Sequence, residues 1–476
     1  MTWITDGAAA IAVLLTSGVV LAGCMVGPHY VRPPLETPTG FKSQATDEEA
    51  ALIAPEWWRL YREPELDQLI ATANASNQTL KQAVAAVDQA RALARIARSY
   101  LAPTIVANPT FTREHTSANR KSIITGQPVG VSATFNDWLV PVDLTYELDV
   151  WGRVRRGLES ARAQAVASAD DEAMVRLTVQ TDVAQYYYAI RLLDSQAEIL
   201  TQTVASYREQ VRILSVQVKT GLTSPIVLSQ ADALLQSTIA QQRDVERARA
   251  DQEHALAILC GQPAPSFDVA INPLREVSPP EVPSGLPAML LTRRPDVAAA
   301  EQAVVAANAQ IGVAMASFYP TFSLSSFVGF ESANVSTLGN WQSRVASIIP
   351  GVTLPIFEGG RLKANLAATR AQYRQTVATY INQVLIAYGD VEDALTDLHA
   401  YNDEIGNLRS AVGASQEYLR LAQVQFKIGL VDYLTVIDAE RTLLTNQLAL
   451  AQNVNLQVGA SIHLIKALGG GWEDRR

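Results

Sequence analysis

Apolar residues return at every seventh position through a proline-free stretch, residues 357–426: Val377, Val384, Val391, Leu398, Ile405, Val412, Leu419 and Phe426. A sustained seven-residue spacing places one seam along one side of a slightly unwound helix and drives it to supercoil against partners. At about 1.5 Å per residue, roughly 70 residues make a rod on the order of 100 Å long. A second long helix is predicted from Trp151 onward, where Val183, Ile190, Ala197, Val204, Val211 and Val218 repeat at seven. A third set, Leu430, Ile437, Leu444, Ala451, Val458 and Ile465, marks the last helix.

Other stretches change the period from seven to two. Across 138–150, Trp138, Val140, Val142, Leu144, Tyr146, Leu148 and Val150 are apolar, with Asp143, Thr145, Glu147 and Asp149 between them. This alternation predicts a strand with one apolar and one polar face. Residues 104–113 form a shorter candidate partner, and 114–137 reads as a long polar loop. Two further strands are expected at about 319–330 and 347–357. A single helix is expected from about Pro64 to Tyr100, and another from the 293–296 segment to just before Pro320.

The order helix, strand, strand, long helix, turn, helix occurs twice. Gly152-Arg153 matches Gly360-Arg361, Ala163-Gln164 matches Ala371-Gln372, Gly221-Leu222 matches Gly429-Leu430, and Ala231-Asp232 matches Ala439-Glu440, all at an offset of 208. Such self-similarity signals an internal duplication. The expected segments are a leader at 1–23, an N-terminal strap at 24–64, a first repeat at 65–264, a linker at 265–286, a second repeat at 287–470 and a tail at 471–476. Four strands per chain cannot close a barrel, and open strand edges are not tolerated in lipid. If these strands meet lipid, several copies must join to seal the sheet, with the polar face lining the interior. A water-soluble sandwich with one solvated face fits the same alternation.

Composition narrows the function classes. The net charge of −9 disfavours a nucleic-acid partner. Two cysteines, Cys24 and Cys260, make a disulfide framework improbable. The five histidines, His29, His115, His254, His399 and His463, sit at no metal-ligand spacing with one another or with cysteine. We find no catalytic set, no phosphate-cradling glycine loop and no expected cofactor or metal. The apolar run 8–20 is too short to span a bilayer and has the form of a signal-peptide core. The segment ahead of it carries no Lys or Arg and includes Asp6, a departure from a signal peptide's positive start. Leu21-Ala22-Gly23-Cys24 follows and resembles a bacterial lipobox, which implies lipidation of the Cys24 thiol. Met25 rather than aspartate follows, which for such lipoproteins implies passage to the outer membrane.

Several segments together resemble the TolC type of outer-membrane efflux protein, in its lipoprotein branch serving RND multidrug exporters, the NodT or OprM group. They are residues 27–33, Trp57-Trp58, 146–153, 293–297, 317–320 and 354–361, in the family's order over nearly the whole chain. The resemblance implies a mostly α-helical fold with a membrane β-barrel. Three copies would form a twelve-strand barrel continuous with a twelve-helix periplasmic tunnel. It implies a passive exit duct in the outer membrane, anchored by lipid, with an adaptor protein and an inner-membrane RND pump as partners.

By residue alone, the turns Gly221, Leu222, Thr223, Ser224 and Gly429, Leu430, Val431, Asp432 are helical-hairpin connections needing glycine for a left-handed step. The resemblance makes them adaptor contacts. Leu434 and Asp438, one helical turn apart, fall where the family narrows its pore. Asp143, Glu147 and Asp149 would bias the lumen toward cations, or else merely solvate the wall. A type I protein secretion duct and a structural periplasmic coiled-coil lipoprotein are the competing functions.

Overall fold

The computed structural model describes residues 25–42, 53–119, 121, 130–274, 279–280 and 293–472. Cys24 and the apolar run before it lie outside these residues, as do 275–278 and 281–292 around the linker.

Among the described residues, the helices are α1 (Pro64–Ser76), α2 (Gln78–Ser99), α3 (Arg153–Lys219), α4 (Pro225–Leu259), α5 (Pro295–Ala316), α6 (Arg361–Lys427) and α7 (Tyr433–Ala467). The strands are β1 (Thr104–Ala107), β2 (Thr110–Thr116), β3 (Ala133–Leu148), β4 (Thr321–Ser332) and β5 (Arg344–Thr353). Helices α3 and α6 are both 67 residues long, about 100 Å each. Helices α4 and α7 are both 35 residues long. Every bound of the first pair returns 208 residues later in the second. The heptad positions explain these rods. Val183, Ile190, Val384 and Val391 are fully or almost fully buried, and Val204 and Ile405 are nearly so. The seam ends at the tip, where Leu430 is 71% exposed.

The expected helix 64–100 is two helices. Asn77 has ψ 128, outside helical geometry. Its Oδ1 accepts from the Leu80 amide at 2.9 Å and its Nδ2 donates to the Leu259 carbonyl at 2.8 Å. One buried side chain thus starts α2 and ties the break to the end of α4.

The sheet is antiparallel, ordered β1–β3–β4–β5, with β2 also on β3. The expected strand 104–113 is divided at Asn108-Pro109, because proline has no amide to give the ladder. β1 and β2 both pair with the edge of β3 that β4 leaves free. β3 begins five residues before the expected start and ends at Leu148, so Asp149 is outside the strand. Direct cross-strand partners share a face. One face therefore carries Ile105, Leu144 and Phe111, Trp138, then Val140 with Phe330, Val142 with Val328, and Phe322 with Val352. The other face is mixed: it carries Thr104, Thr145 and Ser325 with Asp143 and Glu147, and also Val106, Leu139, Phe327 and Ile349. Among the described residues, the outer edges of β1, β2 and β5 are unpaired.

The described chain forms two compact units. Among the described residues, the first takes the chain up to Pro33, Asp88–Val166 and Glu301–Ala378, hence the sheet; the second takes Pro34–Val87, Ala167–Ala300 and the chain from Thr379 onward. Both draw on both halves of the sequence, so the compact units cut across the repeats expected at 65–264 and 287–470. In the first, the strap is fixed by its own residues. The Tyr30 hydroxyl donates to Glu301 Oε1 at 2.9 Å, Arg32 Nε reaches the same oxygen at 2.7 Å, and Asn308 Nδ2 donates to the Pro28 carbonyl. Gly27 has φ +104, and a Cβ there would stand 2.5 Å from Gly312 Cα. In the second unit, Trp57, Trp58 and Tyr61 pack with Tyr187 and Tyr188 of α3, Leu256 of α4 and Ile462 of α7. Beside this core, Arg191 pairs with Glu63 and lies 5.6 Å from the Tyr187 ring centre. No described helix is long and apolar enough to cross a membrane, which says nothing of the sheet.

Candidate functional site: the hairpin turns and the start of α7

The two turns are built alike. After α3, the Gly221 amide donates to the Val218 carbonyl and the Leu222 amide to the Gln217 carbonyl. After α6, the Gly429 amide donates to Phe426 and the Leu430 amide to Gln425. Gly221 has φ +75 and Gly429 φ +77, the left-handed step that closes a helix while satisfying its last carbonyls. Each following helix then starts on a side-chain cap. Ser224 accepts from the Ile226 amide at 3.3 Å, and Asp432 accepts from the Thr435 amide at 3.2 Å.

These turns expose apolar side chains. Leu222 is 78% exposed, Ile226 68%, Ile428 66%, Leu430 71% and Leu434 50%. Leu434 and Asp438 lie on one face of α7, both exposed. The Tyr418 hydroxyl of α6 donates to Asp438 Oδ2 at 3.2 Å.

The opposite face of α7 is buried. Tyr433, Val436 and Ala439 join Leu214 of α3, Ala231 of α4 and Ala422 of α6 in one apolar cluster. Glu440 sits on this face, only 5% exposed. Gln210 of α3 accepts from the Tyr433 hydroxyl and donates its side-chain N–H to Glu440 Oε1. Burial pushes the Glu440 carboxyl up to about 7, against the smaller opposing effect of the Gln210 hydrogen bond. Sequence reasoning passed over Tyr418, Gln210, Tyr433 and Glu440. The signal for the last was present: Tyr433, Val436 and Glu440 follow the three–four spacing of a buried face, so a carboxylate occupies an apolar stripe.

The strand acids have partners. Asp143 Oδ2 accepts from Asn108 Nδ2 at 3.0 Å on the polar face. Glu147 pairs with Arg153 through two hydrogen bonds. Asp149, placed on the strand by its alternation, instead starts α3. It accepts from the Val154 and Arg155 amides, each at 2.9 Å, and pairs with the Arg155 side chain. A carboxylate at a helix N-terminus satisfies free amides and favours the helix dipole, which outcompetes one more rung of sheet. Among the described residues, no group of three or more His, Cys, Asp or Glu is placed to hold a metal ion.

Comparison with known proteins adds four findings. The family model described as "Outer membrane efflux protein" matches residues 69–262 and 286–470. The chain is 31% identical over 475 residues to the probable efflux pump outer membrane protein SepC of Pseudomonas putida, covering 96% of each. It is 29% identical over 462 residues to the cation efflux system protein CusC of Escherichia coli, covering 96% of this chain and 97% of that protein. Among solved structures it resembles the outer-membrane channel OprN, with TM-score 0.87 and 26% identity, over 94% of this chain and all of that one.

Proposed function

The chain belongs to the outer membrane efflux protein family, and on that premise we propose how it works as an export channel. It is the outer-membrane exit duct of a tripartite efflux pump. Three copies close the sheet: each brings four strand tracks, β1 with β2 as one, making a twelve-strand barrel. The paired long and short helices of each duplicated half form the tunnel below. Cys24 carries the lipid anchor.

The observation that carries this reading is the sheet. Between Trp138 and Leu148 it has one mostly apolar face and a second, more polar face that carries the strand acids, and its outer edges are unpaired among the described residues. In lipid, unpaired backbone groups are costly enough that only closure serves. The polar face, with Asp143 and Glu147, then lines the lumen, while Asp149 stands at its lower rim. The turns Gly221–Ser224 and Gly429–Asp432 present their exposed apolar side chains to a periplasmic adaptor, which connects the duct to an inner-membrane RND pump. Leu434 and Asp438, repeated about the axis, form the aperture. Tyr418 steadies Asp438 there. The duct hydrolyses nothing; the pump supplies the energy, and cargo choice lies with pump and adaptor.

The test is electrical. Purified protein in a planar bilayer should conduct as a trimer, and Asp438→Ala should raise conductance and weaken cation preference. Unchanged conductance and selectivity would remove Asp438 from the aperture, and no conductance from wild type would end the duct reading.

A further inference from the structure

Two carboxylates two residues apart on α7 have opposite surroundings. Asp438 faces water, whereas Glu440, about 200° around the helix, is 5% exposed. Its Oε1 accepts from Gln210 of α3, and its Oε2 is buried with no hydrogen-bond partner. Gln210 also accepts from Tyr433, so one α3 side chain grips α7 at two points two turns apart.

Few groups compensate a charge there. From α3, the facing polar groups are Gln210 and Tyr207, whose hydroxyl is buried and unpartnered. From α7 they are Tyr433 and Arg441, and the Arg441 cation acts on Tyr207. From α4 and α6 the cluster members are Ala231 and Ala422. Burial pushes both phenols above their ordinary range, so Tyr207 and Tyr433 stay neutral. The position 208 residues earlier is Asp232, which is exposed. The second hairpin therefore has a buried carboxyl that the first lacks.

We propose that Glu440 is a proton-dependent positioning residue: neutral, it seats α7 on α3; charged, it loosens that seat and lets the helix that carries Leu434 and Asp438 shift. An ionised carboxylate with one free oxygen among apolar side chains is costly, while the neutral acid leaves the Gln210 bridge in place. The carboxyl in this seat is raised from about 4.5 to about 7. The seat is thus firmest below the ordinary carboxylate value and weakens as pH rises through about 7. The consequence for passage rests on the aperture reading above; the proton-linked seat does not.

The experiment uses the full-length protein in detergent. Backbone hydrogen exchange at 433–441, corrected for intrinsic rates, is followed between about pH 6 and 8, with conductance recorded in parallel. In wild type, protection of this segment should fall about tenfold over that range. Glu440→Gln, which keeps a hydrogen-bonding oxygen but cannot titrate, should show flat protection, and so should Glu440→Leu, which suits the apolar stripe. If one variant fails to fold, the other decides. Flat protection in wild type, or a wild-type slope in either folded variant, overturns the proposal. A protection switch with pH-independent conductance supports the proton-linked seat and overturns the aperture assigned to Leu434 and Asp438.

Discussion

Gly221 and Gly429 each hold a left-handed backbone with open space where a Cβ would stand. A side chain there meets strain of about 1–2 kcal/mol and no clash. Gly221→Val or Gly429→Val should therefore leave the protein folded and of unchanged size in detergent, while efflux in a deletion strain is lost because the exposed tip is reshaped. Normal drug resistance in these strains would contradict the contact role. Arg294 is a different case. It is 4% exposed and pairs with Asp296 at 2.7 Å and Asp390 at 2.9 Å, and it also donates to the Ala467 carbonyl. Burial raises the Asp296 carboxyl, but the hydrogen bond and charge of Arg294 outweigh it and hold the carboxyl below its ordinary range. Stability from this pair is present above that range and lost as pH falls through the depressed value. Arg294→Ala strands two acids and should cost about 3–5 kcal/mol at neutral pH. The gap to wild type should narrow on acidification, as thermal unfolding at several pH values will register.

Among the elements, the break between α1 and α2 depends on Asn77. Asn77→Ala removes the cap of α2 and a tie to α4, and should lower stability by about 1–2 kcal/mol in thermal melts followed by circular dichroism. One continuous helix of about ten turns would result only if the tie to Leu259 were dispensable. This break also marks the limit of what the sequence discloses. The long helices were legible because seven-residue spacing is a local, repeated signal. The strands were legible because their period is two. Asn77 was not, since an asparagine in an otherwise helical run reveals itself only through a partner 182 residues away. The end of β3 was missed for a related reason: Asp149 continues the alternation, yet its carboxylate finds the free amides of α3. At the tips, the glycine turns could be located from residue type, but the Gln210 bridge joins side chains 230 residues apart and leaves no local trace.

For the whole molecule, the proposed ring rests on the outer edges of the sheet, which are unpaired among the described residues. In the proposed ring, β5 of one copy lies beside β1 and β2 of the next. That neighbour meets an interrupted partner: β1 stops at Ala107, β2 starts at Thr110, and Pro109 offers no amide between them. Each seam of that ring would thus have a gap at one height where the backbone zipper has no teeth. If three copies close as proposed, three such windows would share one latitude and make it the weakest line of the wall, the level at which a lipid headgroup or water would enter between copies.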